Sequence, residues 1–182
     1  MSIINRRRRD VCVFLPNKDQ LDITVGVRAR GHDIFSRVSD LLDVKEVHLF
    51  GLTILRDDEH VFLDLEQKLT KYFGNKWRRN SRKDPLHLFL KVQFFIDPSQ
   101  LILYNRAQQI YYADMRQRVL SSQCFHQEAL FFQLAAYALQ ADLGDLSPEQ
   151  EGDTSKGKKV GHYFLPQDYF PPWWSLNQAS KR

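Results

Sequence analysis

The chain has 182 residues, of which 43% are hydrophobic and 26% are charged, and its formal net charge is +4. Length and composition are those of one globular domain or two small ones, and they exclude a disordered chain. The basic excess lies in residues 1–97, because residues 98–182 carry equal numbers of acidic and basic side chains. No apolar run approaches the ~20 residues that span a bilayer, and the basic start lacks the apolar segment of a secretory signal.

The two cysteines, Cys12 and Cys124, lie far apart in the sequence and form neither a CxxC motif nor a disulfide framework. This cysteine usage favours a reducing compartment. We therefore expect an intracellular protein that is soluble or at most peripheral to a membrane.

Residues 10–97 predict a mixed, strand-rich unit. The segments VCVFLP and LDITVGVR alternate in the manner of half-buried strands, and the turn residues Pro16–Asp19 between them predict a β-hairpin. HDIFSRVSDLLDV then carries apolar residues at helical spacing, with Asp33 in the acid-favouring first turn. Two further strands are predicted at 48–55 and 60–65.

The end of this unit predicts a short helix, a polar loop and a central strand. LEQKLTKYF has helical character, KWRRNSRK is polar, and LHLFLKVQFFI at 86–96 is long and apolar enough for the middle of a sheet. The order strand, strand, helix, strand, strand, short helix, strand is that of a ubiquitin-like roll, in which one helix packs across a mixed sheet. An α+β fold class is therefore expected.

Beyond Asp97–Pro98, where proline favours a boundary, the pattern becomes helical. One helix is predicted between Ser99 and Gln123, and a second in EALFFQLAAYALQADLGD, which Gly144 ends. The second helix is so apolar that we expect it to be buried nearly all round. Residues 147–159 predict a mobile loop, and YFLPQDYFPPWW predicts a packed irregular segment. The stripe that recurs at helical spacing on the first helix consists of Tyr104, Gln108, Tyr111, Met115 and Val119.

No catalytic constellation is found in the sequence. The motifs GxSxG, HExxH, P-loop and GxGxxG are absent, and the six histidines show no metal-ligand spacing. Cys124 and His126 lack an orienting partner, so Cys124 is expected to be a buried or half-buried structural cysteine. We expect a protein that is not an enzyme, with no catalytic residue, no metal site, no cofactor and no small-molecule substrate.

Basic clusters remain as the functional signal. Four arginines, Arg6–Arg9, lie in a basic tail, and KWRRNSRK holds five basic residues with no acid among them. Attraction to anionic lipid is worth ~1 kcal/mol per basic side chain near the surface, which is enough to hold a domain on a cytoplasmic leaflet. Two alternatives stay open: a merely solvated loop, and nucleic acid stacked on the aromatic residue of KWRR, which the modest net charge disfavours. The basic residues of the second cluster are Lys76, Arg78, Arg79, Arg82 and Lys83.

Three stretches, VQFFIDPSQL, LAAYALQADLGD and YFLPQDYFP, follow one another in the chain. Their combination resembles the joint and the second lobe of FERM domains, and HLFGLTIL and HYFLPQDYFP are similar to the willin and expanded-like branch. The resemblance implies a ubiquitin-like first lobe at residues 10–97 and an acyl-CoA-binding-protein-like helical bundle at 98–174. A basic disordered tail at 1–9 and a polar tail at 175–182 would flank them.

The resemblance implies a non-enzymatic membrane–cytoskeleton adaptor in the cytoplasm, peripheral at the plasma membrane or at cell junctions. Such proteins bind anionic phospholipid and membrane, cytoskeletal or junction proteins, and this branch is linked to Hippo signalling; no nucleic-acid partner is expected. The family's phosphoinositide segment matches LDLEQKL, which retains only Lys68, so the basic residues at 76–83 would have to substitute for it. The chain ends before a third lobe would begin, and the second lobe is expected to be incomplete.

Other functions stay open at this point. Ubiquitin-like units also pair with small GTPases through strand addition at a sheet edge. A lipid or acyl-CoA carrier follows only from analogy with the fold of the helical lobe. A truncated, non-functional or dominant-negative isoform is the remaining alternative, with exposed aromatic surface at Tyr169, Phe170, Trp173 and Trp174.

Overall fold

The computed structural model describes residues 8–79, 85–96, 102–145 and 164–174. The chain divides into two compact units, which we call unit 1 (Met1–Met115) and unit 2 (Arg116–Arg182). The predicted boundary at Asp97–Pro98 lies outside the described residues and stays a prediction, as does the predicted loop at 147–159.

The described residues form five strands and four helices. The strands are β1 (Arg8–Phe14), β2 (Gln20–Gly26), β3 (Phe50–Arg56), β4 (Glu59–Phe62) and β5 (Leu86–Val92). The helices are α1 (Gly31–Leu42), α2 (Thr70–Arg79), α3 (Asn105–Leu120) and α4 (Glu128–Leu143), and short 3-10 turns lie at Val47–Leu49 and Pro166–Asp168.

The strands of unit 1 form one mixed sheet in the order β2-β1-β5-β3-β4. Strands β1 and β2 form the predicted antiparallel hairpin, in which Val11 lies opposite Ile23. Strand β5 is central, parallel to β1 and antiparallel to β3. The predicted central position of this segment is therefore confirmed, although the strand ends at Val92 and does not continue to residue 96.

Strand β1 begins three residues before the predicted strand segment VCVFLP. Arg8 and Arg9 belong to the sheet and not to a disordered tail, and residues 1–7 lie outside the described part. The Arg9 side chain is 8% exposed, and its Nη1 donates a hydrogen bond of 2.8 Å to the Arg8 carbonyl. Its guanidinium therefore belongs to the folded surface of unit 1.

Helix α1 packs across the sheet because its apolar residues recur on one face. The Asp33 carboxylate accepts a hydrogen bond of 2.8 Å from the backbone N–H of Arg30, which confirms the predicted acidic first turn. The helix ends at Asp43, whose φ of 50° lies in the left-handed region. Its buried residues are Gly31, Ile34, Phe35, Val38 and Leu42.

Helix α2 differs from its prediction. The expected helix runs from Leu65 to Phe73, but the observed one starts at Thr70 and continues through Arg79, so the segment KWRR is helical and not part of a loop. Gly74 kinks the helix with φ 51° and ψ −120°, a conformation that residues with a Cβ rarely adopt. The predicted end of the helix at Phe73 thus falls at the kink, and a second helical piece follows Gly74 where the sequence predicts a loop.

The buried face of α3 in unit 1 is shifted by one residue from the predicted stripe. Ala107 and Ile110 lie in the core of unit 1, and Tyr111 and Met115 pack against it partly buried. Tyr104, a member of the predicted stripe, is 43% exposed, and Gln108 is exposed as well. The helix therefore turns its small and branched residues inward and leaves the ring of Tyr104 at the surface.

A carboxylate completes this buried face. Asp114 is fully buried, forms an ion pair of 3.0 Å with Lys91 Nζ, and accepts a hydrogen bond of 3.0 Å from the backbone N–H of Val92. Burying a charge is unfavourable unless it is paired and hydrogen-bonded, and both conditions are met here. Asp114 therefore joins α3 to the end of β5.

Helix α4 of unit 2 is not buried all round. Its buried residues are Phe131 and Ala135, whereas Leu130 is 43% exposed and Tyr137 is 73% exposed. The predicted near-complete burial is therefore wrong for the described part of the protein. Apolar side chains favour burial, but burial also requires a partner surface. The described residues supply such a surface on a single side of the helix.

The segment 164–174 supplies that partner surface. Phe170 stacks on Trp174 with ring centroids 4.2 Å apart, and Trp173 makes an edge contact of 5.3 Å with Phe131. Tyr169 and Phe170 are buried, which confirms a packed irregular segment and contradicts the exposed aromatic surface expected for a truncated fragment at these two positions. Trp173 and Trp174 are partly buried in the same cluster.

Candidate functional site

The predicted basic cluster lies on the part of helix α2 that follows the kink. Lys76, Arg78 and Arg79 are all exposed there. Arg82 and Lys83 lie outside the described residues. The role of these residues in lipid binding stays a prediction, but three of the five have a defined position on a helix.

Trp77 anchors this basic turn in the core. Its side chain is 0% exposed, its ring stacks on that of Phe73 at a centroid distance of 6.2 Å, and its Nε1–H donates a hydrogen bond of 2.8 Å to the Val27 carbonyl. The indole is therefore not available as a stacking platform for a nucleic-acid base, as the sequence had allowed. Its packing holds the adjacent basic residues in place instead.

Lys76 and Arg79 line a cleft of about 710 Å³ between α2, β3 and β5. The cleft opens where two neighbouring strands separate: β3 and β5 pair from Phe50–Val92 to Thr53–Phe89, and the residues beyond that last pair line the cleft. Its lining residues are Ile54, Leu55, Arg56, Tyr72, Phe73, Asn75, Lys76, Arg79, Pro85, Leu86, His87 and Phe89.

Among the described residues, the lining of this cleft, which we call the α2 cleft, carries cations and no carboxylate. Arg56, at the end of β3, donates from Nη2 to the Tyr72 carbonyl at 3.3 Å, which uses one of its five N–H groups. Lys76 and Arg79 form no ion pair with another described residue. The three cations in the described lining, Arg56, Lys76 and Arg79, favour an anionic ligand.

The other predicted lipid-binding residues lie outside the α2 cleft. Lys68 is exposed, and its backbone forms an isolated bridge with Arg30, which makes a surface ion pair of 3.5 Å with Glu66. Arg78 is also absent from the cleft lining, and its carbonyl accepts a hydrogen bond of 3.3 Å from Arg9 Nη2. The structure thus brings two of the predicted residues, Lys76 and Arg79, together in one concave site.

Sequence reasoning missed Arg56 and His87 as partners of this cluster. Arg56 precedes the turn DDE and looked like a solvated turn residue, and His87 is one of six scattered histidines. Both reach the α2 cleft only because β3 and β5 are neighbours in the sheet. No spacing along the chain signals this proximity.

Unit 2 contains a separate polar network with a structural role. Arg116 on α3 pairs with Asp142 on α4 at 2.7 Å, and its Nη2 donates to the Asp168 carbonyl at 3.0 Å. The Tyr169 hydroxyl donates to Asp142 at 3.0 Å, and the Arg116 guanidinium lies 4.8 Å from the centre of the Tyr169 ring. Burial, followed by the hydrogen bond and charge of Asp142, raises the pKa of Tyr169, and Arg116 partly offsets this effect.

The described residues offer no arrangement that resembles a catalytic centre. Burial raises the pKa of the Cys12 thiol, and the neighbouring Asp22 raises it further, so Cys12 is held in its unreactive protonated form. Cys124 is exposed, which corrects the expectation of a buried or half-buried cysteine. In the same part of the chain, no three His, Cys, Asp or Glu residues are placed to hold a metal ion.

The described helices include no candidate for a membrane-spanning segment. None of α1–α4 combines the length and the apolar character that crossing a bilayer requires.

Two adjacent family models match this chain. The FERM N-terminal domain matches residues 13–75, and the FERM central domain matches residues 97–182. Together they cover most of the sequence in the order that FERM domains have. The chain belongs to the FERM family. It contains the first two lobes of a FERM domain, so the resemblance found from the sequence and the α+β fold class are confirmed.

Curated FERM relatives are much longer than this chain. Human tyrosine-protein phosphatase non-receptor type 13 is 31% identical over 90% of this chain, and mouse FERM and PDZ domain-containing protein 2 is 30% identical over 90% of it. The matches span 6% and 11% of those proteins. Protein expanded of Drosophila melanogaster is 35% identical over 57% of this chain and 8% of its own length, in agreement with the predicted resemblance to that branch.

Solved FERM structures share the fold. The FERM domain of Drosophila Merlin in complex with its C-terminal domain matches with a TM-score of 0.69 at 18% identity, over 92% of this chain and 52% of that one. The human Myosin 7b MyTH4-FERM domain in complex with the harmonin-a PDZ3 domain matches with a TM-score of 0.59 at 12% identity, over 95% of this chain and 35% of that one.

Proposed function

We propose that this chain serves as a non-enzymatic adaptor, in which FERM lobes attach a membrane-associated or cytoskeletal protein to the anionic cytoplasmic face of the plasma membrane or a cell junction. The observation that carries the proposal is the basic turn of α2, which Trp77 holds on the surface of a FERM first lobe. When exposed cations lie on a rigid helix, no loop has to be ordered as they bind an anionic surface, so less conformational entropy is lost.

Relatives support the protein-binding half of the proposal. The solved FERM domains of Merlin and Myosin 7b are in complexes with protein domains. Expanded is a relative of this chain, and a link to Hippo signalling is part of the proposal for that reason. The basic residues assigned to the membrane are Lys68, Lys76, Arg78, Arg79, Arg82 and Lys83.

Sedimentation with vesicles of phosphatidylcholine and phosphatidylserine tests the membrane half. The variant Arg78→Glu/Arg79→Glu should bind about thirtyfold more weakly or worse, since each basic residue near an anionic surface contributes ~1 kcal/mol. A matched control, Lys18→Glu/Arg106→Glu, changes the net charge equally at exposed positions away from α2. Equal losses of vesicle binding in the two variants would show that binding depends on the overall charge, and would contradict a defined membrane-binding face.

A further inference from the structure

We infer that the groove between strand β2 and helix α1 is a docking site for an extended, acidic segment of a partner protein, which adds to the sheet as a further strand beside β2. The inference rests on the protein-binding half of the proposed function and names the chemistry of the partner, at a surface apart from α2. This groove, which we call the β2 groove, has a volume of about 610 Å³. Its lining includes the apolar Val25 and Ala29 and the ionisable Arg28, His32, Asp33 and Arg37.

The backbone of β2 offers groups for strand pairing. Strand β2 forms one end of the sheet, so among the described strands it has a neighbour on one side only. The Leu15 N–H donates to the Asp19 carbonyl at 2.8 Å, which sets the alternation of the β1–β2 ladder. By this alternation, the backbone N–H and C=O groups of Asp22 and Thr24 point away from β1. An added strand can pair with them through main-chain hydrogen bonds.

The side chain of Arg37 on α1 covers this edge at one point. Its Nη1 donates a hydrogen bond of 2.9 Å to the Thr24 carbonyl, in agreement with the outward direction of that carbonyl. A carboxylate is a stronger acceptor for a guanidinium than a carbonyl is, because both partners are then charged. An acidic side chain of the added strand therefore binds Arg37 and frees the Thr24 carbonyl, whereas a neutral segment leaves the edge covered.

The charges of the lining favour an acidic segment. Arg28 and Arg37 are exposed and form no ion pair with another described residue. The carboxylate in the described lining, Asp33, is engaged in the first turn of α1, where it accepts a hydrogen bond of 2.8 Å from the Arg30 N–H. Asp22 does not line the groove. Two guanidinium groups are thus available to carboxylates of a partner.

The apolar part of the β2 groove distinguishes a protein segment from a small anion. Val25 and Ala29 are buried and line the groove, and Gly26 has open space where a side chain would be. An aliphatic side chain of the added strand packs there, while acidic side chains two residues before and after it reach the arginines. A free phosphate would use the arginines but neither the backbone edge nor this apolar surface.

The other edge of the sheet provides a contrast. Strand β4 is four residues long and begins with Glu59, directly after Asp57 and Asp58 in the turn. These carboxylates repel an acidic segment, and the short edge offers few backbone groups. The inference therefore concerns the edge at β2 alone.

Fluorescence anisotropy of a labelled peptide with the core Glu-Thr-Val-Thr-Glu tests the charges, with the whole chain as the receptor. Alternate residues of this core present glutamate, valine and glutamate on one face of a strand. Arg28→Glu/Arg37→Glu should weaken binding about tenfold or more, because two attractions become repulsions. The matched control Lys71→Glu/Arg106→Glu changes the net charge equally at exposed positions outside the groove and should change binding by less than about twofold.

Backbone pairing is tested separately from charge. Thr24→Pro removes the outward N–H, and because proline is tolerated on edge strands, peptide binding should weaken about tenfold while circular dichroism stays unchanged. Thr24→Val keeps the N–H and the β-branched shape and should bind as the parent does. On the peptide side, N-methylation along the core keeps both glutamates but removes backbone donors, and should weaken binding to a similar extent.

Hydrogen exchange at the Asp22 and Thr24 amides gives a readout that needs no variant. Both N–H groups point away from the β1–β2 ladder, so they should exchange rapidly in the free chain and become protected when the peptide binds. This measurement decides the question even if Thr24→Pro loses its structure. Peptide binding without protection at these two amides would overturn strand addition.

Three other results would overturn the inference. The first is the absence of peptide binding by the parent chain, and the second is an equal loss of binding in the two charge-reversal variants. The third is equal binding of a peptide in which lysine replaces both glutamates. Sedimentation velocity tests the chain itself as the occupant: a dimer that Thr24→Pro dissociates and the peptide does not displace would assign the edge to a second copy and overturn the partner segment.

Vesicle sedimentation separates this inference from the proposed function. Arg78→Glu/Arg79→Glu should lose binding to phosphatidylserine vesicles and keep the affinity of the parent for the peptide, because neither residue lines the β2 groove. Peptide binding by a chain that does not sediment with the vesicles would support the groove and contradict the membrane half of the function. Vesicle binding without peptide binding would support the membrane half and overturn the groove.

Discussion

The two units of the chain bury their apolar residues in different ways. In unit 1 the sheet, α1, the end of α2 and the start of α3 share one cluster of buried residues that includes Trp77 and Leu88. In unit 2 the described residues bury a cluster of four, Phe131, Ala135, Tyr169 and Phe170. Helix α4 is more apolar than α1, yet it has two buried residues, whereas α1 has five.

This contrast teaches that the arrangement of apolar residues matters more than their number. Helix α1 has its apolar residues on one face, so one sheet surface covers them all. Helix α4 has apolar residues around its circumference, and in the described part of unit 2 one aromatic segment covers a single side. Stability in unit 1 should therefore depend on interior contacts, whereas unit 2 should tolerate changes on the uncovered side of α4.

The largest loss of stability is expected when the buried ion pair of unit 1 is broken. Asp114→Ala should lower the free energy of unfolding by about 3–5 kcal/mol, because Lys91 loses its buried partner and the Val92 N–H loses its acceptor. Urea unfolding followed by circular dichroism measures the loss. The double variant Lys91→Met/Asp114→Leu should recover much of it, since apolar residues can replace a buried pair. A double variant as unstable as Asp114→Ala would show that the charges themselves are required.

An intermediate effect concerns the pH dependence of unit 2. The pKa of Tyr169 is raised above its ordinary value of 10.0, so its neutral form is favoured in the folded protein. This contribution to stability is present below pH 10.0 and is lost as the pH rises through the raised folded pKa. Tyr169→Phe should remove the alkaline loss and lower stability at neutral pH by about 1 kcal/mol, the value of one hydrogen bond.

Urea midpoints at neutral and alkaline pH measure this difference. Tyr137→Phe is the matched control, because Tyr137 is 73% exposed on α4 and should leave the alkaline loss unchanged. If the parent and Tyr169→Phe lose stability equally as the pH rises, the hydrogen bond to Asp142 does not contribute.

The smallest change in stability is expected for substitutions on the exposed side of α4. Leu130→Gln and Tyr137→Gln should each change the free energy of unfolding by no more than about 0.5 kcal/mol, because both side chains are exposed and glutamine is a good helix former. Phe131→Ala, on the buried side, should cost about 3–5 kcal/mol in the same urea assay. Losses above 2 kcal/mol, about fourfold the expected limit, at Leu130 or Tyr137 would contradict an uncovered side.

The sequence predicted best those elements whose signals are local. The hairpin of β1 and β2 follows from alternation and turn chemistry, and the first turn of α1 follows from Asp33. The extent of α2 was not predicted, because a glycine such as Gly74 commonly marks the end of a helix. The helical turn after Gly74 places Trp77 in the core, and no local pattern in the sequence signals that burial. The α2 cleft was only partly predictable: Lys76 and Arg79 were visible as a charge run, and the residues from β3 and β5 were not.

By itself, the amino-acid sequence determined the order of the elements, the α+β class and membership of the FERM family, because periodicity, turn residues and motifs are properties of neighbouring positions. Tertiary structure alone decided which cations converge, which side of α4 is covered and where a carboxylate such as Asp114 is buried. The physical reason is that burial and electrostatic proximity depend on distances between elements far apart in the chain, and those distances arise only when the sheet and helices pack.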